Sequence, residues 1–173
     1  MRWFVMLLAL TLSGCSQDLR EYQSWKPDFA LEQFFDGKVK AYGVVFDLKG
    51  QISRRFIVDI DGSWQQNQGV LDEYFTYADG EKQFRRWVIT KNGDGTYEGR
   101  ADDIIGTAVG QTSGPVLHWE YEMNLITEDN QWQVTFDDTM VLIDDNHLLN
   151  RAKIKKFGIT VAEVFIAFER VSD

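Results

Sequence analysis

From Lys38 onward apolar and polar residues alternate one for one, and turn residues break the pattern about every dozen positions. Period two marks β-strands with one buried face, because successive side chains point to opposite sides of a pleated sheet. The pattern predicts strands near 38–48, 52–65, 69–78, 82–91, 96–101, 105–111, 115–127, 131–143, 148–157 and 160–170. Between them stand Lys49-Gly50-Gln51, Asn67-Gln68-Gly69, Ala78-Asp79-Gly80, Asn92-Gly93-Asp94-Gly95, Thr112-Ser113-Gly114, Glu128-Asp129-Asn130 and Asp144-Asp145-Asn146. Asn, Asp and Gly tolerate the positive φ of tight hairpins, so these are turns of an antiparallel meander.

Alternation also assigns the faces. Leu117, Trp119, Tyr121, Met123 and Leu125 share one side of their strand, with His118, Glu120, Glu122 and Asn124 on the other. Trp132, Val134, Phe136, Met140 and Leu142 repeat the pattern, as do Ile52, Phe56, Val58 and Ile60. Ten such strands kept flat would expose unpaired edges, and closure removes them. The expected fold is therefore all-β, an up-and-down meander closing into a lipocalin-like barrel, with a two-sheet sandwich as the competing architecture. A barrel of eight to ten strands is either filled by side chains or just able to hold a small ligand.

Three charges stand where the alternation calls for an apolar side chain. Arg54 is in step with Phe56, Val58 and Ile60; Asp138 with Phe136, Met140 and Leu142; and Arg86 with Phe84 and Val88. An unpaired buried charge costs several kcal/mol, so each must be paired, reach a barrel mouth or meet a polar ligand. An Arg–Asp pair setting strand register would satisfy the rule, as would a ligand pocket with Trp119, Tyr121, Phe136 and Met140 for walls.

Ahead of the meander, Pro27-Asp28 opens a short helical pattern with Asp28 as N-cap, Leu31, Phe34 and Phe35 on one face, and Gly37 as its stop. Ser16 to Lys26 is polar and reads as a tether. Arg2, the apolar run Trp3 to Leu12 and the small residues after it have the layout of a signal peptide over 1–14, and a run this short does not span a bilayer as a helix. Leu12-Ser13-Gly14-Cys15 resembles the lipobox of bacterial lipoproteins. The resemblance implies cleavage before Cys15, lipidation of that cysteine and, with Ser16 following it, sorting to the outer membrane. Triacylation would give a stable anchor, and it uses the only cysteine, so the domain over 27–173 must fold without a disulfide.

Other pieces share a second resemblance. Phe34-Phe35-Asp36-Gly37, Lys40-Ala41-Tyr42-Gly43, Gly62-Ser63-Trp64, Ala101 to Ala108, and Asn150-Arg151-Ala152 followed by Lys156-Phe157-Gly158 together resemble domain-of-unknown-function family 3833, a group of Gram-negative lipoproteins. That likeness implies an envelope protein and no particular activity.

With Arg2 removed, 17 basic residues face 27 acidic ones. Such a surface repels phosphate backbones, so nucleic acid is no partner, and the membrane is reached through lipidated Cys15. Arg151, Lys153 and Lys155 form a basic row on one strand, a solvated face or a patch for an acidic partner. His118 and His147 are the only neutral-pH bases; the first reads as a solvated side chain, the second as part of an Asp-rich turn. With no nucleophile, phosphate-loop or metal-ligand motif in view, the expectation is no cofactor, no metal and no enzyme. Two readings remain: an outer-membrane lipoprotein facing the periplasm that binds a lipid or other amphiphile, with Arg54 or Arg86 on its polar end, or an assembly protein with a filled core docked on an envelope partner.

Overall fold

A computed structural model describes residues 18–93, 95–126 and 131–171. The signal segment, Cys15, and the Glu128-Asp129-Asn130 turn lie outside these residues, as does Asp94. Ten strands follow in order: β1 (Gly37–Asp47), β2 (Ile52–Gln65), β3 (Gln68–Tyr77), β4 (Lys82–Lys91), β5 (Thr96–Arg100), β6 (Ile104–Ser113), β7 (Val116–Ile126), β8 (Gln131–Leu142), β9 (His147–Lys156) and β10 (Ile159–Arg170). Each pairs antiparallel with the next, and β10 returns to β1 from Val39 opposite Arg170 to Asp47 opposite Ala162. The sheet is a closed, lipocalin-like barrel, not a sandwich.

Every strand lies within two residues of its expected bounds, because the turn chemistry fixes both ends. Ile52 and Trp132, expected inside, instead sit exposed at the rim, at the first turns of their strands. There Lys156 Nζ lies 3.1 Å from the centre of the Trp132 ring.

One end of the barrel is floored by α1 (Leu31–Phe34), whose Leu31 and Phe34, with the following Phe35, are buried against the inner wall. The expected cap is corrected: Ala30 occupies the N-cap without a side-chain bond, and Asp28 pairs with Lys26 in solvent. The chain enters the helix extended at Ala30, so Asp28 is too far upstream to cap it. Other groups hold the floor. The Arg170 guanidinium donates to the carbonyls of Gln33, Phe34 (2.6 Å) and Asp36 (3.0 Å), satisfying acceptors at the C-terminal end of the helix. Glu32 accepts from Lys91 and from the Tyr97 hydroxyl at 2.8 Å.

The segment expected as a tether is hydrogen-bonded to the barrel end from Asp18 onward while staying largely exposed. Leu19–Tyr22 forms a single 3-10 turn whose Leu19 carbonyl accepts from Ser113 Oγ, and Phe29 N–H donates to the Gly114 carbonyl at 2.8 Å. Gly114, at φ 53°, permits this because a Cβ there would strike the Tyr22 carbonyl. The chain thus arrives at the floored end.

Gly62 of β2 meets the floor by close approach: a Cβ at this position would overlap the Phe35 carbonyl oxygen. Gly62→Ala should therefore lower unfolding stability by about 1–3 kcal/mol, as overpacking does. Gly158→Ala, at φ 78° with open space around it, should cost only the left-handed strain of about 1 kcal/mol. Urea denaturation of the two variants checks the order.

Candidate functional site

Small residues inside the barrel let aromatic rings lie against the wall. A Cβ at Gly99 would stand 2.6 Å from Trp119 Cζ2, and one at Gly110 would overlap the same indole. Trp119 is thereby held flat over β5 and β6, edge-on to Trp87 at 5.7 Å; Trp87 meets Tyr121 at 5.4 Å, and Tyr121 stacks on Phe136 at 5.0 Å. Phe56 similarly covers Gly43. These rings leave the axis open as a cavity of about 700 Å³, running from Leu31 and Phe35 at the floor to Ser53, Arg54, Glu81, Leu125 and Ile126 at the mouth. That volume is in the range of small-molecule sites.

Into these apolar walls project several ionisable groups. Glu73 of β3 stands directly opposite Arg85 of β4. Arg85 donates to Asp103, in the β5–β6 turn, through Nε (2.9 Å), its Nη2 lies 2.8 Å from the same carboxylate, and its Nη1 lies 3.7 Å from Glu73. Deeper, toward the floor, lie Asp138 of β8 and Asn150 of β9, only 4% and 3% exposed. The Asn150 amide donates to the Asp138 carboxyl, leaving Asp138 Oδ1 and Asn150 Oδ1 without a hydrogen-bond partner among the described residues.

Burial dominates their ionisation. It pushes Glu73 up to about 7 against the pull of Arg85, and Asp138 up to about 7 against the hydrogen bond from Asn150. Tyr121 is raised well above its ordinary value, first by burial and then by the Asp138 charge. Arg85 is raised by Glu73 and Asp103 in spite of burial and stays charged.

Of the residues singled out in the sequence, Trp119, Tyr121, Phe136, Asp138 and Met140 line the cavity together. Arg54 stands at the mouth, stacked 3.6 Å from the Tyr77 ring centre and tied to Glu81 and Asp79. The placement of Arg86 is corrected: it shares its face with Phe84 and Val88 as expected, but that face is the outer one, where it pairs with Asp72 at 2.6 Å. The inward residue is Arg85, in step with Gln83, Trp87 and Ile89. Both faces of β4 carry apolar residues, so alternation alone could not choose. The charge of Glu73, in step with Leu71, Phe75 and Tyr77, was the available signal for an inward Arg85. Asp103 and Asn150 carried no comparable mark.

The outer surface accounts for the remaining candidates. His118 Nε2 lies 2.8 Å from Asp137 Oδ1, with Glu120 nearby, a set whose donor atoms fall within 4.8 Å of one another and could hold a cation, although Lys155 already engages Asp137. His147 belongs to a turn in which Asp144 Oδ1 accepts from the backbone N–H groups of Asn146 and His147. Arg151 and Lys155 of the basic row pair with Glu163 and Asp137.

The two raised carboxyls set a pH dependence. Folded, they keep protons that the unfolded chain releases near its ordinary carboxyl pKa, so unfolding stability falls as pH rises through about 7 and levels off above it. Between pH 5.5 and 8 the loss should be on the order of 2 kcal/mol for each group, and Asp138→Asn should remove about half of the total. Urea midpoints at the two pH values measure it.

This barrel is similar to that of the S-type phycobiliprotein lyase of Guillardia theta, with a TM-score of 0.58 at 10% identity, covering 91% of this chain and 99% of that one. No curated protein matches the chain. The likeness corrects the expectation of no enzyme: the same fold belongs to a protein titled a lyase, so the lack of a sequence motif carries no weight against activity. A motif search also overlooks buried carboxyls poised near neutrality, which Glu73 and Asp138 are. The family model described as "Protein of unknown function (DUF3833)" matches residues 9–170, and the chain belongs to that family.

Proposed function

We propose that this protein is an outer-membrane lipoprotein that holds a lipid or other amphiphilic small molecule in its barrel on the periplasmic side. The observation that carries the reading is the cavity of about 700 Å³, floored at one end, walled by Trp119, Tyr121, Phe136 and Met140, and furnished with a few inward polar groups. A filled core, which the assembly reading needs, is not what the barrel contains, and the basic row that would have served a docking partner is largely neutralised by its neighbours.

The position of the anchor bears on how such a ligand is exchanged. Cys15 precedes Asp18 by three residues, a reach of about 10 Å at most, and Asp18 sits at the floored end. A lipid on Cys15 would hold the floor toward the membrane and turn the mouth to the periplasm. The mouth carries exposed Leu48, Ile126, Phe157 and Ile159, suited to contact with an apolar donor or acceptor surface.

A soluble form starting at Ser16, expressed in the periplasm and purified without detergent, should yield about one amphiphile per chain in organic extracts read by mass spectrometry. Gly110→Leu should drive Trp119 off the wall into the cavity and reduce that yield severalfold while circular dichroism remains that of a β-barrel. An empty extract from folded wild-type protein that also fails to bind added amphiphiles would overturn the reading.

A further inference from the structure

We infer that the deep end of the cavity, at Asp138 and Asn150, receives a protonated amine, so that the ligand is a cationic amphiphile inserted amine first. This rests on the binding function proposed above and names its ligand class. Both arginines that could meet an anion are occupied: Arg85 is held by Asp103 and faces Glu73, and Arg54 is held by Glu81 and Asp79. The charged residues of the lining are four carboxyls, Glu73, Glu81, Asp103 and Asp138, against the two guanidiniums of Arg54 and Arg85. An anion there would meet a surplus of its own sign.

The unpartnered atoms point the same way. Asp138 Oδ1 and Asn150 Oδ1 are acceptors, nearly fully buried, on residues that line the cavity. Both oxygens are closed to water in this conformation, so a donor reaches them only with a small movement of the Asp138 and Asn150 side chains at the cavity wall, and a ligand that supplies it relieves two unpaired acceptors. An ammonium group brings up to three N–H donors on one atom, enough for both acceptors, and its charge offsets the cost of an ionised Asp138 in a low-dielectric site. A hydroxyl has one donor and no charge. Trp119 and Met140 stand level with the pair and Tyr121 and Phe136 lie above it toward the mouth, an apolar sleeve for a chain, and aromatic faces favour a nearby cation.

The test uses the chain from Ser16 with three probes that share a twelve-carbon tail: dodecylammonium, dodecanol and dodecanoate, each below its micelle concentration. Binding is read by quenching of the cavity tryptophans and by calorimetry. Dodecylammonium should bind at least about tenfold tighter than either other probe, the scale of one charge-assisted hydrogen-bond pair. Asp138→Asn should erase that preference with the dodecanol affinity little changed, and Asn150→Asp, which adds a second carboxyl, should enlarge it. The second variant keeps the inference testable if the first does not fold. Tighter binding of dodecanoate, equal binding of amine and alcohol by the wild type, or a preference unaltered in both variants would overturn the amine assignment and leave the binding function standing. Failure of all three probes to bind folded protein would overturn both.

Discussion

The number of strands in the closed sheet governs everything inside it. Eight strands make a barrel that side chains can fill; ten make a wider one, and the inner faces of β1 to β10 do not supply enough bulk to close it. Where the largest rings stand, the wall behind them is reduced to glycine, at Gly43 under Phe56 and at Gly99 and Gly110 under Trp119. Aromatic area is thereby spread around the circumference and not stacked across the axis. The cavity follows from strand number and wall thinning together, so it is a property of the architecture and not of one missing side chain.

A wide barrel open at both ends would be wet throughout, and α1 prevents that with few residues. A helix this short has no stability of its own in water. It holds because Leu31, Phe34 and Phe35 bury into the barrel end while Arg170, the last residue of β10, takes up its carbonyls and Glu32 is bound by Lys91 and Tyr97. The residue that closes the sheet against β1, opposite Val39, is thus also the one that fixes the floor. Closure of the barrel and closure of its end are coupled through one side chain.

The strands were legible because period-two patterning and Gly/Asn/Asp turns are local signals, and here they agreed along the chain. The aromatic lining followed from the same alternation. What escaped was information held between strands. Arg85 and Arg86 are adjacent, each in step with apolar neighbours, and only the facing register with Glu73 or Asp72 tells which points inward. Asn150 lies between Leu149 and Arg151 with nothing local to mark it; its role comes from standing on β9 beside Asp138 of β8. Asp28 failed as a cap for the complementary reason, since the bond from Phe29 N–H to the Gly114 carbonyl of a distant strand turn sets the helix start later than local chemistry would.

The interior is expensive in a way that its apolar walls are not. Replacing a buried ionic set by well-packed apolar residues is often neutral or stabilising, so Glu73, Arg85, Asp103, Asp138 and Asn150 are poor devices for holding a barrel together. Hydrogen bonding through the ten-stranded ladder already does that, and Asp138 adds an unpartnered acceptor on an almost fully buried side chain. A ligand that binds the folded chain alone returns stability as RT ln(1 + [L]/Kd), about 2.7 kcal/mol at a hundredfold excess over Kd. That is the order of what one unsatisfied buried group costs. On the binding function proposed above, such a barrel would reach its full stability when occupied, which would couple the state of the cavity to the state of the fold.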